Sequence, residues 1–430
     1  MRFLQKMYRS YDEMPKIGLP NAGEIKISDS TLRDGAQMTG VVLTRKHKLK
    51  IYEYLHDIGI EKLECFLFNE RDKKVAKDML KLGYDKPEVT GWARANPKDI
   101  DLILEMDGIK ETGILMSISD THIYDKLGLK SRDKATEKYL NALEYAKDHG
   151  LKVRCHMEDI TRADFSFVSE FTKKIIEIAP DTIIRLCDTL GLGLPYENSP
   201  LPYSIPKMIE VMKEAGVRDI ETHMHDDFGL AIANSLAGYI HGANWSNVTF
   251  LGIGERAGNA ELEKILLFLI WRVEGFERYN AEKLVEFARY MEKETRFFVP
   301  RNKAVVGRNI FAHESGIHTA GVIKNPFTYE PFPPKLVGGE RRLVVGDTSG
   351  AEVIRNKVEE IVEALIDVKV KVDKRDPRII KIHNKIHKLY DKEGRRSSIS
   401  DDEMKKYVEK YFLFEPVADV LAANENNGES

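Results

Sequence analysis

The sequence predicts an α/β protein: a (β/α)8 TIM barrel followed by a smaller, mainly helical C-terminal subdomain. Three observations carry this. Short apolar stretches alternate with amphipathic helical ones about every 30–35 residues, the size of one strand–helix unit, and such alternation implies a parallel sheet. Eight units occur in succession, which suits a closed barrel better than an open sheet. No G-x-G-x-x-G follows the first strand, which counts against a dinucleotide-binding fold.

The strands read as EIKISDST from Glu24, IEKLECFLF from Ile60, EVTGWAR from Glu88 and GIKETGILMSIS from Gly108. Then come LKVRCHMEDI from Leu151, DTIIRLCDT from Asp181, DIETHMHDD from Asp219 and NVTFLGIGER from Asn247. Helical segments such as TRKHKLKIYEYLHDIG and SIPKMIEVMKEAG separate most of them. The second places Ile205, Met208, Ile209 and Met212 at helical spacing and stops at Gly216. This gives an N-terminal extension at 1–23, the barrel at 24–275 and helical subdomains at 276–420. The last residues, 421–430, are small and polar and are expected to be disordered. Within the helical region, EVIRNKVEEIVEALI and DDEMKKYVEKYF read as amphipathic helices, whereas 309–331 is rich in turn residues and aromatics.

Composition narrows the function. Lys and Arg total 66 against 69 Asp and Glu, so no electrostatic footprint for nucleic acid is expected. The apolar run ILLFLIW, Ile265–Trp271, is far short of the ~20 residues that span a bilayer, and the N-terminus lacks the apolar core of a secretory signal. Cys65, Cys155 and Cys187 have no metal-type spacing and are odd in number, which fits a reduced, cytoplasmic setting.

A barrel builds its active site at the C-terminal ends of its strands. Those ends carry Arg33 and Asp34, Arg94, Asp120 and His122, His156 and Glu158, Asp188 and Thr189, His223 and His225, and Glu255, Arg256 and Asn259. In ETHMHDDFG, a strand would put His223 and His225 on one side, where two imidazoles can hold one metal ion. Spacing alone leaves a chance surface pair open.

The blocks DSTLRDGAQMTG, HMHDDFGLAIANSLAG, GIGERAGNAELE and FAHESGIHTAGVIKNPFTYEP resemble the metal-dependent, acyl-CoA-using Claisen synthases of the DRE-TIM metallolyase superfamily. That group includes 2-isopropylmalate, homocitrate, citramalate and Re-type citrate synthases. The resemblance runs from about Glu24 to about Arg355. It implies condensation of acetyl-CoA with a 2-oxo acid, then thioester hydrolysis. It also implies that Asp34, His223 and His225 ligate one divalent cation, Mn2+ or Zn2+ ahead of Mg2+, with Asn259 a weaker fourth contact. Arg33 would stabilise the developing alkoxide, and Thr189 would bind the acceptor carboxylate. Glu158, His318 and Tyr329 would serve the acetyl-CoA side, the last two from a partner subunit, so a homodimer is implied. His313 and Glu314 are candidate supports, and Asp188 is expected to be structural.

The chain departs from the group's common motifs. RDGEQ reads RDGAQ, with Ala36 replacing a carboxylate, and HND reads HDD, which is expected to set Asp226 beside the metal. TGWARAN, KETGILMSISDTHI, RCHMEDITRAD and IRLCDTLG look closer to Re-type citrate synthases, while DDFGLAIANSLAG and RRLVVGDTSG look closer to isopropylmalate or homocitrate synthases. Arg94, Arg154, His156 and Arg162 lie at or near predicted strand ends, where they could meet a second carboxylate. The expected acceptor is therefore dicarboxylic, oxaloacetate or 2-oxoglutarate; a 2-isopropylmalate synthase using 2-oxoisovalerate, or a citramalate synthase, is the alternative. A lyase of the 3-hydroxy-3-methylglutaryl-CoA type would carry a cysteine near the last strand, and GIGERAGNAELE has none. A non-catalytic metabolite sensor would tolerate loss of Arg33, Asp34, His223, His225 or His318, and all are present. No long leucine-regulatory domain follows the barrel, so no feedback through one is expected.

Overall fold

The computed structural model describes residues 10–414. Eight parallel strands close in chain order, with the eighth pairing back onto the first. The barrel runs β1 (Lys26–Asp29), α1 (Arg45–Ile58), β2 (Lys62–Cys65), α2 (Glu70–Lys81), β3 (Glu88–Arg94), α3 (Pro97–Leu104), β4 (Glu111–Ser117) and α4 (Arg132–Asp148). It continues with β5 (Lys152–Glu158), α5 (Phe165–Ile178), β6 (Ile183–Asp188), α6 (Ile205–Glu214), β7 (Asp219–Met224), α7 (Ala231–His241), β8 (Trp245–Val248) and α8 (Leu262–Arg272).

Local chemistry sets the helix limits. Thr44, Asn69, Asn96, Ser131, Asp164 and Ser204 each precede a helix and accept a hydrogen bond from one of its first backbone N–H groups. Gly59 and Gly242 end α1 and α7 in the left-handed region, at φ 93° and 100°, which glycine adopts without strain. The eighth strand begins two residues earlier than expected and stops at Val248. Beyond it, Thr31 Oγ1 accepts from Phe250 N and Thr249 Oγ1 donates to Ile253 O, so the chain turns through Phe250–Gly252 instead of extending.

Two compact units form among the described residues: Pro15–Val299 with Ala304–Val306, and residues 307–414 with Pro300–Lys303 and residues 10–14. The barrel unit therefore reaches past residue 275, because α9 (Leu284–Thr295) belongs to it. The Phe287 ring stacks on Tyr54 of α1 at 4.5 Å and on Phe250 at 3.6 Å, and Leu284, Ala288 and Met291 are buried with it. The second unit has a short parallel pair, β9 (Ala312–His313) and β10 (Arg342–Leu343), and a helix α10 (Gly316–Lys324). Three further helices, α11 (Ala351–Ile366), α12 (Pro377–Asp391) and α13 (Asp401–Val408), enclose Val353, Ile354, Val358, Ile379, Ile382, Ile386 and Met404. The expected tail at 421–430 and the first nine residues lie outside the described residues. No described helix is long and apolar enough to cross a membrane.

Gly91 marks a place where an α-helix presses on the barrel wall. A Cβ on Gly91 of β3 would lie 2.7 Å from Ile103 Cγ1 of α3. We expect Gly91→Ala to cost about 1–3 kcal/mol in denaturant melts through overpacking. Combined with Ile103→Ala, which removes the clashing atoms, the two losses should sum to less than their separate values.

Candidate metal centre and active site

Among the described residues, Asp34, His223 and His225 present ligand atoms that all lie within 4.8 Å of one another, and all three are buried. Asp34 stands in the turn after β1, which is drawn tight because Arg33 N and Gly35 N both donate to Ser30 O. His223 belongs to β7, and His225 follows it, held by its N–H to Asp188 O and by a bridge to Asn259. The two Nε2 atoms lie 3.5 and 4.0 Å from Asp34 Oδ2. Ligands about 2.1 Å from one ion stand roughly 3–3.5 Å apart, so a small contraction would seat a cation.

The electrostatics fit that role. Burial, followed by repulsion from His223, pushes the His225 imidazole down to about 4, so it is neutral and able to ligate near pH 7. Burial pushes the Asp34 carboxyl up, but Arg33, His223 and His225 outweigh it and hold the group well below the usual range. The Nδ1 atoms of both histidines make no hydrogen bond. An ionised oxygen beside two imidazoles is a donor set for a divalent cation.

Two neighbours differ from expectation. Asn259 turns its amide nitrogen, not its oxygen, toward Asp34, donating to Asp34 Oδ1 at 3.1 Å and to Ile253 O at 3.2 Å. In this orientation it braces the carboxylate, and a ligand role needs the opposite amide orientation. Asp226 accepts from Ala231 N at 2.9 Å, so its carboxylate meets the start of α7.

Arg33 is gripped on two sides: Nε donates to Glu64 Oε2 at 2.5 Å and Nη1 to Asp34 Oδ2 at 2.8 Å. Sequence reasoning missed Glu64. It also missed that Glu64 Oε1 accepts from Arg185 Nη1 at 2.9 Å, while Arg185 Nε donates to Glu221 Oε2 at 2.5 Å. The available signal was a set of charged residues, Glu64, Arg154, Arg185 and Glu221, inside otherwise apolar strands.

The groups nominated for a second acceptor carboxylate fare unequally. Arg154 is not at a strand end; it is the third residue of β5, buried, and paired with Glu221 and Glu111. Arg94 ends β3 but forks onto Asp99 at 2.7 and 2.9 Å, with its side chain 65% exposed. Arg162 is tied to Asp159 in the same manner. His156 keeps its Nε2 without a hydrogen bond, 3.4 Å from Glu64 Oε1. Burial, then the nearby Arg185 and Arg33, holds this imidazole well below its ordinary value and hence neutral. Gly113 makes room for it, since a Cβ there would lie 2.5 Å from His156 Nε2.

Thr189 Oγ1 accepts from Asp159 N at 2.8 Å. Asp188 accepts from Thr161 Oγ1, Leu192 N and Gly193 N, a bracing role as expected. Burial pushes the Glu158 carboxyl up, but bonds from His122, Lys126 and Ser117 overcome this and hold it at about 2. Two of those donors, His122 and Lys126, come from a π-helical turn at Thr121–Lys126. Sequence reasoning placed His122 at a strand end but gave neither residue a role.

In the second unit, the His318 and Tyr329 rings meet with centroids 4.4 Å apart, and both side chains are exposed. His313 lies 3.4 Å from Glu330, a buried carboxylate not anticipated from sequence, which Arg341 clamps at 2.6 and 2.7 Å. Glu314 Oε2 meets Ser398 Oγ at 3.4 Å.

Elemental analysis of dialysed protein should find one divalent cation per chain. Asp34→Ala and His223→Ala should abolish it. Asn259→Ala should weaken it about 10–100-fold, the usual loss for an outer partner of a ligand.

The chain matches the family model described as HMGL-like over residues 24–291, and that described as homocitrate synthase post-HMGL domain-like over 305–392. It is 36% identical over 422 residues to citrate (Re)-synthase of Clostridium kluyveri, covering 93% of this chain and 92% of that one. It is 38% identical over 338 residues to 2-isopropylmalate synthase 2 of Caldanaerobacter subterraneus subsp. tengcongensis, covering 78% and 85%. It is equally identical over 338 residues to homocitrate synthase AksA of Methanothermobacter thermautotrophicus, covering 78% and 84%. The solved HMG-CoA lyase of Bacillus subtilis shares the fold, with 21% identity, a TM-score of 0.55, and 67% and 97% of the two chains covered. The closed barrel, the Asp–His–His group and the matched blocks agree: the chain belongs to the HMGL-like family, in the Claisen-type synthase group of the DRE-TIM superfamily.

Proposed function

We propose that the protein is an acyltransferase that condenses acetyl-CoA with a 2-oxo acid and then hydrolyses the thioester, releasing CoA and a 2-hydroxy-2-alkyl di- or tricarboxylate. The observation that carries this is the buried Asp34–His223–His225 group with the Arg33 guanidinium bonded directly to it. A divalent cation held by those three residues would supply Lewis-acid polarisation of the acceptor's keto group. Arg33 is permanently charged and gripped through Nε and Nη1, so Nη2 is the nitrogen left for the growing alkoxide. Thr189 is assigned the acceptor carboxylate. Glu158, ionised near pH 7, is assigned proton acceptance or the orientation of His122 on the acetyl side. His318 and Tyr329 are assigned to the same side, supplied by the partner subunit of a homodimer. The three buried cysteines, none in a disulfide, fit a cytoplasmic setting.

For the acceptor, the favoured reading is dicarboxylic, oxaloacetate or 2-oxoglutarate. Two facts support it: the unbonded His156 Nε2 inside the barrel, and the likeness to citrate (Re)-synthase along nine-tenths of both chains. A second reading, an apolar acceptor such as 2-oxoisovalerate, is favoured by Phe66, Phe68 and Trp92, whose rings cluster at 5.3–5.8 Å, with Trp92 6.0 Å from the Arg33 guanidinium.

Purified protein assayed for free thiol with acetyl-CoA and each 2-oxo acid should respond to oxaloacetate or 2-oxoglutarate. Response to 2-oxoisovalerate alone would move the assignment to the second reading, and silence with every acceptor would remove the synthase reading. Chelation should abolish turnover. Arg33→Gln should lower kcat about 100–1,000-fold, the usual loss for an oxyanion donor. His156→Ala should reduce kcat/KM for the dicarboxylic acceptor while sparing acetyl-CoA KM.

A further inference from the structure

We propose that Arg185 is a positioning residue for this reaction, acting through Glu64 to hold Arg33; the proposal rests on the synthase reading above. Arg185 lies mid-strand on β6, is only 1% exposed, and forks between two carboxylates. Its Nη1 occupies Glu64 Oε1, so Glu64 has one oxygen, Oε2, left for Arg33. That single approach fixes the Arg33 plane, with Nε on Glu64 and Nη1 on Asp34.

The charge balance runs the same way. Burial favours the neutral form of Glu64, and Arg185 is the strongest influence against it, ahead of Arg33 and Arg154. A neutral Glu64 would be a poor acceptor for the Arg33 Nε–H. A purely structural role accounts poorly for the residue. The interior layers of such barrels are usually filled by branched apolar side chains. Buried ion pairs are also weak contributors to stability when set against well-packed apolar groups of similar volume. Lysine could keep the charge but not the fork, because an ammonium is a point donor and a guanidinium a planar one.

Steady-state kinetics on the full chain, with metal content and thermal melting measured alongside, test this. Arg185→Gln should lower kcat about 10–100-fold, with acetyl-CoA KM and bound metal unchanged, and Arg185→Lys should recover part of the loss. Adding Arg185→Gln to Glu64→Gln should lower kcat no further than Glu64→Gln alone, since both act on Arg33. Full additivity, or wild-type kcat in both Arg185 variants, would overturn the proposal. If Arg185→Gln does not fold, Arg185→Lys carries the same comparison. NMR of the arginine Nε–H signals gives a readout independent of turnover. The Arg33 signal, assigned by Arg33→Lys, should be slow to exchange in the wild type and fast in Arg185→Lys. An unchanged signal would sink the positioning role even if no acceptor is turned over.

Discussion

A line of buried ion pairs threads the barrel from its floor to the metal ligands. Lys62 meets Glu111, Glu111 meets Arg154 at 3.1 Å, and Arg154 meets Glu221. Glu221 meets Arg185, Arg185 meets Glu64, Glu64 meets Arg33, and Arg33 meets Asp34, all between 2.5 and 2.9 Å. Signs alternate at every step. Each ion alone would lose several kcal/mol of hydration in this interior, so each is tolerable only while both neighbours stay in place. The constraint is collective. The strands carrying these groups, β2, β4, β5, β6 and β7, become partners only when the barrel closes, so the charge arrangement and the topology require each other.

That arrangement decides the protonation states at the mouth. Arg154 and Arg185, with the bond from Ser28, hold Glu221 at about 2 against its burial. Arg33 does for Asp34 what Arg185 does for Glu64, keeping a buried carboxylate ionised. The imidazole of His225 moves the other way and stays neutral. Anionic oxygen beside neutral nitrogen is what a divalent ion needs, and at Asp34 and His225 no proton has to leave near pH 7 for that state to exist.

Much of this was legible in the sequence, for identifiable reasons. The strand–helix period is long and regular, and it gave the closed barrel and the order of its strands. The end-of-strand rule placed Asp34, His223 and His225 among many polar groups, the family resemblance made them one ligand set, and they do converge. Pairing was harder to read. A cation near a strand end looks available until its partner is seen, and for Arg94 and Arg162 the partners, Asp99 and Asp159, were only five and three residues away. Glu64 and Arg185 were passed over because an isolated charge within an apolar strand gives no periodic signal. The domain boundary moved because the apolar stripe of α9 reads alike whether it packs on α1 or on a separate helical unit. Orientation, as in the amide of Asn259, has no sequence signature at all.

The paired cations bear directly on the acceptor. Once Arg94, Arg154 and Arg162 have their own carboxylates, none is idle in the barrel to bind a free carboxylate, which at first weakens the dicarboxylic reading. The total charge points the other way. From Lys62 to Asp34 the line sums to zero, and Lys126 with Glu158 and Arg256 with Asp227 add further neutral pairs. A divalent cation held by Asp34, His223 and His225 would add two positive charges beside the Arg33 end of that line. A 2-oxo acid with one carboxylate would bring one negative charge against them, and a dicarboxylic acid two. The second carboxylate would then need no dedicated arginine, and the buried Nε2 of His156, which makes no hydrogen bond, would be its candidate contact.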